Sequence, residues 1–303
     1  MSFFAFVLIA FSAGMHASWN LIAKRSGMSI AFYTLLCLVS TSLWLHVQFW
    51  TPVNVFGLPG LYYLFMFGSV VFDLSYCIWL SRAYTTMEMS TAYPMMRSLP
   101  LIITALLTAL TGWGEPLNIC SITGMLIVFI GCLLMPLRKF QDFELKKYYN
   151  KQMLYILMVA CGITGYTICD SQSQVWLRQA LPDLSKPVTS LTFYSCRGIS
   201  LTSVLLLTVF CIPAERKTFV ELLKKRSWLP VLAGLCGSLT YSSVLLAMNY
   251  VSNVTYVQVF RQLGLVFGLI GGIFILKEKG TATKFAGVAL IILGLIISVL
   301  KTA

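Results

Sequence analysis

Three arginines, Arg97, Arg197 and Arg261, lie inside long apolar stretches of the chain. A charged side chain that faces lipid at the bilayer centre costs about 2.5–3.5 kcal/mol on insertion scales, so we expect each arginine to face the protein interior and to find a partner there. A guanidinium group is always charged, and its fork of donors suits a carboxylate or a phosphate. We therefore expect Arg97 and Arg261, supported by Arg197, to hold the anionic group of a substrate.

Two aspartates in apolar stretches, Asp73 and Asp170, leave an alternative open. If the arginines pair with these carboxylates, the charges serve helix packing only, with one positive charge left over. A carboxyl group in an apolar interior can also carry a proton unless an arginine stabilises its charge, so both aspartates are candidates for proton coupling. His16 is a further candidate because imidazole titrates near neutral pH, although a hydrogen-bonded interior histidine fits the same position.

Three polar residues, Tyr93, Gln258 and Asn20, lie three or four positions from one of these charged or titratable residues. Residues at that spacing share a helix face, so we expect all three to line the substrate-binding site. The nine cysteines are scattered without a CxxC pair, and the chain has only two histidines. The sequence therefore predicts neither a metal site nor a cofactor.

The elements that position these residues must be membrane helices. Of the 303 residues, 58% are hydrophobic and only 11% are charged, against about 25% charged in a soluble domain, which excludes a water-soluble fold. Runs of roughly 20 apolar residues are long enough to cross a hydrocarbon core of about 30 Å. The sequence predicts an all-α integral membrane protein with ten transmembrane helices, at residues 2–22, 29–50, 60–81, 91–111, 118–137, 152–172, 189–211, 229–249, 254–276 and 282–300.

The two halves of the chain carry the same markers in the same order. Glu115, Gly124 and Gly131 each recur 163 residues later, and Arg97 recurs as Arg261 after 164 residues. A charged residue, an acidic turn and two glycines in one order indicate an internal repeat.

This repeat divides the chain into a five-helix unit at 1–137, a cytoplasmic linker at 138–151 and a second five-helix unit at 152–303. Five spans are an odd number, so the second unit enters the membrane from the opposite side and the repeats are inverted. Inverted repeats place a binding site near the bilayer midplane and work by alternating access.

Loop charge predicts the orientation. The connections after the odd-numbered spans hold 16 Lys and Arg residues, and the opposite side holds three. Because basic residues concentrate in cytoplasmic loops, we expect the odd connections in the cytoplasm and both termini outside. The net charge of +12 therefore concerns orientation and predicts no nucleic-acid partner.

Local motifs resemble those of a known family. The sequences Gly112-Trp113-Gly114-Glu115-Pro116 and Leu276-Lys277-Glu278-Lys279 are similar to the glutamate turn between the fourth and fifth helices of a repeat in EamA-type permeases of the drug/metabolite transporter superfamily. The first helix adds His16-Ala17-Ser18-Trp19-Asn20 and Lys24, which resemble the start seen in many members. The resemblance implies a permease with two inverted five-helix repeats that moves small metabolites.

A secondary active transporter of a small organic metabolite is therefore the expected function, with a carboxylate-, amino-acid- or phosphate-bearing substrate. No GxxxxGKS or GxxxxGKT loop occurs, so the cycle should run on exchange or an ion gradient. The alternatives are a receptor or assembly subunit that binds without transport and, less favoured because HExxH and GxSxG are absent, an intramembrane enzyme. We expect a small-molecule substrate and the lipid bilayer as partners, a monomer or homodimer, and a place in a bacterial inner membrane.

Overall fold

The computed structural model describes residues 2–26, 29–51, 54, 56–86, 89–135, 137, 139–142, 151–225, 227–274 and 280–300, without the side chains of residues 24, 25, 89–94, 151 and 272. Over these ranges the chain forms helices and no strand, which confirms the predicted all-α class. The α-helices are α1 (Phe3–Ser26), α2 (Ile30–Trp44), α3 (Val47–Trp50), α4 (Gly60–Thr86), α5 (Met89–Thr111), α6 (Ile119–Leu134), α7 (Lys151–Ala180), α8 (Lys186–Cys211), α9 (Pro213–Lys224), α10 (Leu229–Met248), α11 (Thr255–Phe260), α12 (Leu263–Phe274) and α13 (Ala282–Ser298). A 3-10 turn, Phe140–Asp142, follows α6.

Six helical stretches are long and apolar enough to cross a membrane, which makes the chain a multi-pass membrane protein. These are Phe3–Ala23, Ile30–Trp50, Gly60–Thr86, Gln152–Ala180, Lys186–Cys211 and Leu229–Met248. Met95–Thr111, Ile119–Leu134 and Ala282–Ser298 are shorter apolar helices. Ten full spans therefore stay a prediction.

Three features differ from the segments expected from the sequence. The second segment divides into α2 and α3 at a turn over Leu45 and His46, and the ninth divides into α11 and α12 at a turn over Arg261 and Gln262. A separate helix, α9, follows α8. Pro213 occupies its first turn, where the missing N–H is tolerated, and its 12 residues bury only Phe219, so α9 lacks the continuous apolar run that marks a span.

Helix packing groups most of the long helices into two bundles. In the first, which we call the α1 bundle, α1 packs against α10 and α12. In the second, the α4 bundle, α7 packs against α4 and α5. The helices α2 and α8 contact each other, and α2 also contacts α10 while α8 contacts α4, so this pair lies between the bundles.

Glycines bring α6 and α13 into direct backbone contact. A Cβ on Gly124 would lie 2.5 Å from the carbonyl oxygen of Gly294, and a Cβ on Gly131 would lie 2.7 Å from that of Gly287. Any larger side chain would separate the helices, so these four positions require glycine as close-packing residues.

The first glutamate turn joins α5 to α6. Gly112 and Gly114 have φ angles of 69° and 107°, which favour glycine. The Glu115 N–H donates to the Ser252 carbonyl at 3.0 Å, and Asn253 donates its amide to the Glu115 carbonyl at 3.0 Å. This turn is therefore tied to the connection between α10 and α11. The corresponding turn around Glu278 lies outside the described residues.

Candidate functional site

A buried charge network centred on Arg197 joins three helices. Arg197 of α8 donates from Nη2 to Asp73 Oδ2 of α4 at 2.6 Å and from Nε to Asp170 Oδ1 of α7 at 2.9 Å. Relative exposures are 3% for Arg197, 4% for Asp73 and zero for Asp170. The sequence left open that the arginines pair with the two aspartates instead of with a substrate. For Arg197, the structure shows this pairing.

Hydroxyl groups supply the remaining hydrogen bonds to both carboxylates. The Tyr33 hydroxyl donates to Asp73 Oδ1 at 3.0 Å, and the Tyr241 hydroxyl donates to Asp170 Oδ2. Ser69 accepts a bond from Arg197 Nε at 2.8 Å and donates to Asp170 Oδ1. All four carboxylate oxygens therefore accept hydrogen bonds, which a buried charge requires.

Next to this network lies a cavity that Asp73, Arg197 and several tyrosines line. Ring contacts run along its wall, with centroid separations of 5.9 Å for Tyr76 and Tyr166, 5.9 Å for Tyr166 and Tyr241, and 6.0 Å for Tyr241 and Tyr194. The Arg197 guanidinium lies 4.8 Å from the centroid of Tyr241. Aromatic walls with a few polar groups are typical of small-molecule sites.

Arg261 lines this cavity from the turn between α11 and α12. Its side chain is buried, with a relative exposure of 3%. Its Nε and Nη1 have no hydrogen-bond partner among the described residues, while the guanidinium as a whole has the Tyr166 hydroxyl as a hydrogen-bonding neighbour. Leaving a buried donor without a partner is costly, so this guanidinium is suited to an acceptor that enters the cavity.

A second, smaller cavity adjoins the first. Arg97 and Asn20 line the second cavity, whereas His16, Tyr76 and Tyr166 line both. These last three residues therefore form the partition between the two cavities.

Reciprocal hydrogen bonds join Arg97 to the turn between α11 and α12. Arg97 donates from Nη2 to the Arg261 carbonyl at 2.8 Å, and Gln262 donates from Nε2 to the Arg97 carbonyl at 2.9 Å. The two arginines expected to bind substrate thus occupy adjoining cavities and contact each other through one backbone carbonyl.

Of the other expected site residues, Gln258 does not line either cavity, and Tyr93 cannot be placed. Gln258 donates from Nε2 to Thr167 Oγ1 at 2.7 Å, and it is not among the residues that line the two cavities. The side chain of Tyr93 lies outside the described residues. No three His, Cys, Asp or Glu side chains in the described ranges cluster as metal ligands would.

Sequence reasoning missed the tyrosines that complete the site, above all Tyr33, Tyr194 and Tyr241. Their position within the apolar segments could have identified them as site residues. Aromatic belts place tyrosine near the ends of membrane helices, whereas Tyr194 and Tyr241 lie well inside α8 and α10. A buried tyrosine needs a partner for its hydroxyl, which predicts polar surroundings.

Comparison with known proteins points to transport. A family model described as "Sugar transport protein" matches residues 63–303. A protein of Listeria monocytogenes serovar 1/2a (strain ATCC BAA-679 / EGD-e), named "Putative sugar uptake protein lmo0169", is 24% identical over 220 residues, which are 70% of this chain and 70% of that protein. A solved structure described as "Crystal structure of protein" matches 97% of this chain and 96% of its own at a TM-score of 0.66 and 13% identity, a likeness of fold alone.

Proposed function

Because the chain belongs to the family of sugar transport proteins, we propose that it is a secondary active transporter that carries a sugar through the central cavity by alternating access. The printed name of the Listeria relative, which refers to sugar uptake, supports this substrate class. Two further parts of the proposal follow the resemblance of the sequence motifs: the EamA-type fold of the drug/metabolite transporter superfamily, and a bacterial inner membrane as the location.

Helix packing supports the proposal that residues 1–137 and 152–303 are inverted repeats. If α1 corresponds to α7 and α4 to α10, an exchange of the repeats converts the α1–α10 contact into the α7–α4 contact. The same exchange converts α1–α12 into α7–α5 and maps α6–α13 onto itself. Each bundle then contains helices of both repeats, and alternating access is a rocking of the α1 bundle against the α4 bundle around the cavity.

Buried charge favours a substrate with an acidic group. Among the described residues, the buried charged side chains are Arg97, Arg197, Arg261, Asp73 and Asp170, which leave one positive charge over. A sugar that carries one carboxylate would balance it, and a sugar phosphate, with a charge of about −1.5 to −2 at pH 7, would more than balance it. The single observation that carries this step is Arg261, whose Nε and Nη1 lack a partner in the described part of the chain and whose side chain lines the cavity.

The remaining groups suit a sugar acid as well. Tyrosine rings offer flat surfaces to the C–H face of a sugar ring, and their hydroxyls can exchange hydrogen bonds with it. Arg97, Arg197 and Asn20 are the further residues proposed to contact the substrate. Tyr93 and Gln258 are kept as candidate contacts from the sequence. Asp73 and Asp170 remain the proposed proton carriers of the coupled cycle, but pairing with Arg197 favours the charged form of both, so protonation would require that pairing to open during the cycle.

Counterflow in proteoliposomes tests this function. Purified full-length protein is reconstituted with unlabelled sugar inside, and entry of labelled glucose, glucuronate or glucose 6-phosphate is measured. We expect one of the acidic sugars to be carried with a KM at least tenfold below that for glucose. If no sugar exchanges under any gradient, transport of a sugar is excluded, and binding without exchange would favour a receptor.

Arg261→Gln tests the proposed anion contact. A hydrogen bond to a charged group contributes about 1.5–3 kcal/mol, so the variant should raise the KM for the acidic sugar roughly 10- to 150-fold while the KM for a neutral sugar changes little. Arg216→Gln is the matched control, since Arg216 is exposed on α9. Equal losses for acidic and neutral sugars in Arg261→Gln would contradict the assignment.

A further inference from the structure

His16 has a defined hydrogen-bond geometry on one side of its ring. The Trp19 indole N–H donates to His16 Nδ1 at 3.0 Å, and the two rings meet edge to face at 89°. An indole nitrogen can only donate, so Nδ1 must carry a lone pair. The proton of the neutral imidazole is therefore on Nε2.

The other side of the ring faces the two cavities. His16 is buried, with a relative exposure of 7%, and it lines both the larger and the smaller cavity. Its Nε2 has no hydrogen-bond partner among the described residues, whereas its backbone carbonyl accepts a bond from the Asn20 amide at 2.7 Å. The titratable and charged side chains that share these cavities with it are Tyr33, Cys37, Asp73, Tyr76, Tyr84, Arg97, Tyr166, Tyr194, Arg197, Tyr241 and Arg261.

We propose that His16 is a specificity-determining residue whose Nε2–H donates to an oxygen of the sugar, and that Trp19 is the positioning residue that holds the proton on Nε2. This assignment rests on the proposed function. A proton on Nδ1 would oppose the Trp19 N–H, and a cationic ring would face Arg97 and Arg261 across the cavities, so the geometry suits a fixed donor better than the proton relay considered from the sequence.

The tautomer can be measured without a substrate. The chain contains two histidines, so a His46→Gln protein labelled with nitrogen-15 in histidine gives the signals of His16 alone. We expect the spectrum of this protein in lipid to show a protonated Nε2 and an unprotonated Nδ1. Trp19→Phe keeps an aromatic ring but removes the donor. In this variant both tautomers should be populated, and the spectrum should show signals of each. A protonated Nδ1 in the His46→Gln protein would overturn the assignment.

Transport variants separate a donor from a relay. Glutamine places an N–H at a similar reach but cannot take up a proton, so His16→Gln should keep its KM for the sugar within about threefold and leave the pH profile of counterflow unchanged. His16→Leu leaves a sugar oxygen unpaired and should raise KM about 5- to 100-fold with a smaller change in kcat. Trp19→Phe should give an intermediate KM, because His16 then occupies two tautomers.

His46→Gln is the matched control, because the same substitution then falls on an exposed residue in the turn between α2 and α3. If His16→Gln loses transport as fully as His16→Leu, or loses the pH dependence of the parent protein, His16 is a relay and the proposal is wrong. If His16→Leu does not fold, the comparison of His16→Gln with Trp19→Phe, together with the nitrogen spectrum, still decides whether His16 is a fixed donor or a proton relay. If no sugar exchanges in the unmodified protein, the proposed function is wrong. The tautomer assignment is tested separately by the nitrogen spectrum.

Discussion

Removal of Arg197 should destabilise the protein more than removal of any exposed charge. Arg197→Gln leaves Asp73 and Asp170 as two carboxylates without their common cation, in a part of the interior where none of the three side chains exceeds 6% exposure. Loss of one partner from a buried ion pair costs about 3–5 kcal/mol, since the remaining charge stays desolvated. Here two charges of like sign are left, so we expect a loss of unfolding free energy at the upper end of that range.

The same reasoning predicts a rescue. Adding Asp73→Asn and Asp170→Asn to Arg197→Gln removes all three charges and keeps side chains of similar shape. The hydroxyls of Tyr33 and Tyr241, which donate to the two carboxylates, can still donate to the amide oxygens. The triple variant should therefore regain most of the loss and lie within about 1–2 kcal/mol of the parent protein, the contribution of one or two hydrogen bonds.

Unfolding in mixed micelles measures both effects. The protein is purified in a mild detergent, sodium dodecyl sulfate is titrated in, and helix content is followed by circular dichroism. Arg216→Gln, which removes an exposed arginine on α9, serves as the control and should lie within about 0.5 kcal/mol of the parent. If Arg197→Gln is as stable as this control, or if the triple variant is no more stable than Arg197→Gln alone, the three charges do not form one coupled network.

Three shorter predictions concern packing, capping and orientation. Gly124→Ala should lower the unfolding free energy by about 1–3 kcal/mol in the same titration, because its Cβ would overlap the Gly294 carbonyl, whereas Gly268→Ala, with no atom within 4 Å of its Cβ, should not. Glu215→Gln should cost about 0.5–2 kcal/mol, because Glu215 Oε2 accepts the Ala31 N–H at 2.8 Å in the first turn of α2, and an unchanged titration midpoint would show that this cap adds nothing. Lys217→Cys in a cysteine-free background should react with a membrane-impermeant maleimide only after the cytoplasmic side is opened, and reaction in intact cells would reverse the orientation.

Much of the site could be predicted because charge in an apolar run carries information by itself. Arg97, Arg197, Arg261, Asp73 and Asp170 were identified from their apolar surroundings alone, and all five are buried. Which arginine binds the aspartates could not be predicted from the sequence. That choice depends on α8 lying beside both α4 and α7, and the contact between Arg197 and Asp73, 124 residues apart, has no signal in local spacing.

The turn between α11 and α12 was missed for a related reason. The run from residue 254 to 276 is apolar enough for one helix, and no proline or glycine stands at Arg261 or Gln262 to end α11. Tertiary hydrogen bonds compensate for the break, since the Arg261 carbonyl accepts a bond from Arg97 and the Gln262 amide donates to the Arg97 carbonyl. Local propensity favours a continuous helix, and the partner that makes a break favourable lies on α5.

In the proposed alternating-access cycle, these two hydrogen bonds would have to change. Arg97 belongs to the α4 bundle, whereas Arg261 and Gln262 precede α12 in the α1 bundle, so both bonds cross between the bundles. If the bundles rock apart on this side, the bonds break, at a combined cost of about 2–4.5 kcal/mol for one charged and one neutral donor. The Arg97 guanidinium would then turn from the Arg261 carbonyl toward the partition formed by His16, Tyr76 and Tyr166. An acidic sugar that leaves Arg261 would meet Arg97 next, so the two arginines would bind the same anion in succession, and the new contact would offset the bond that opening removes.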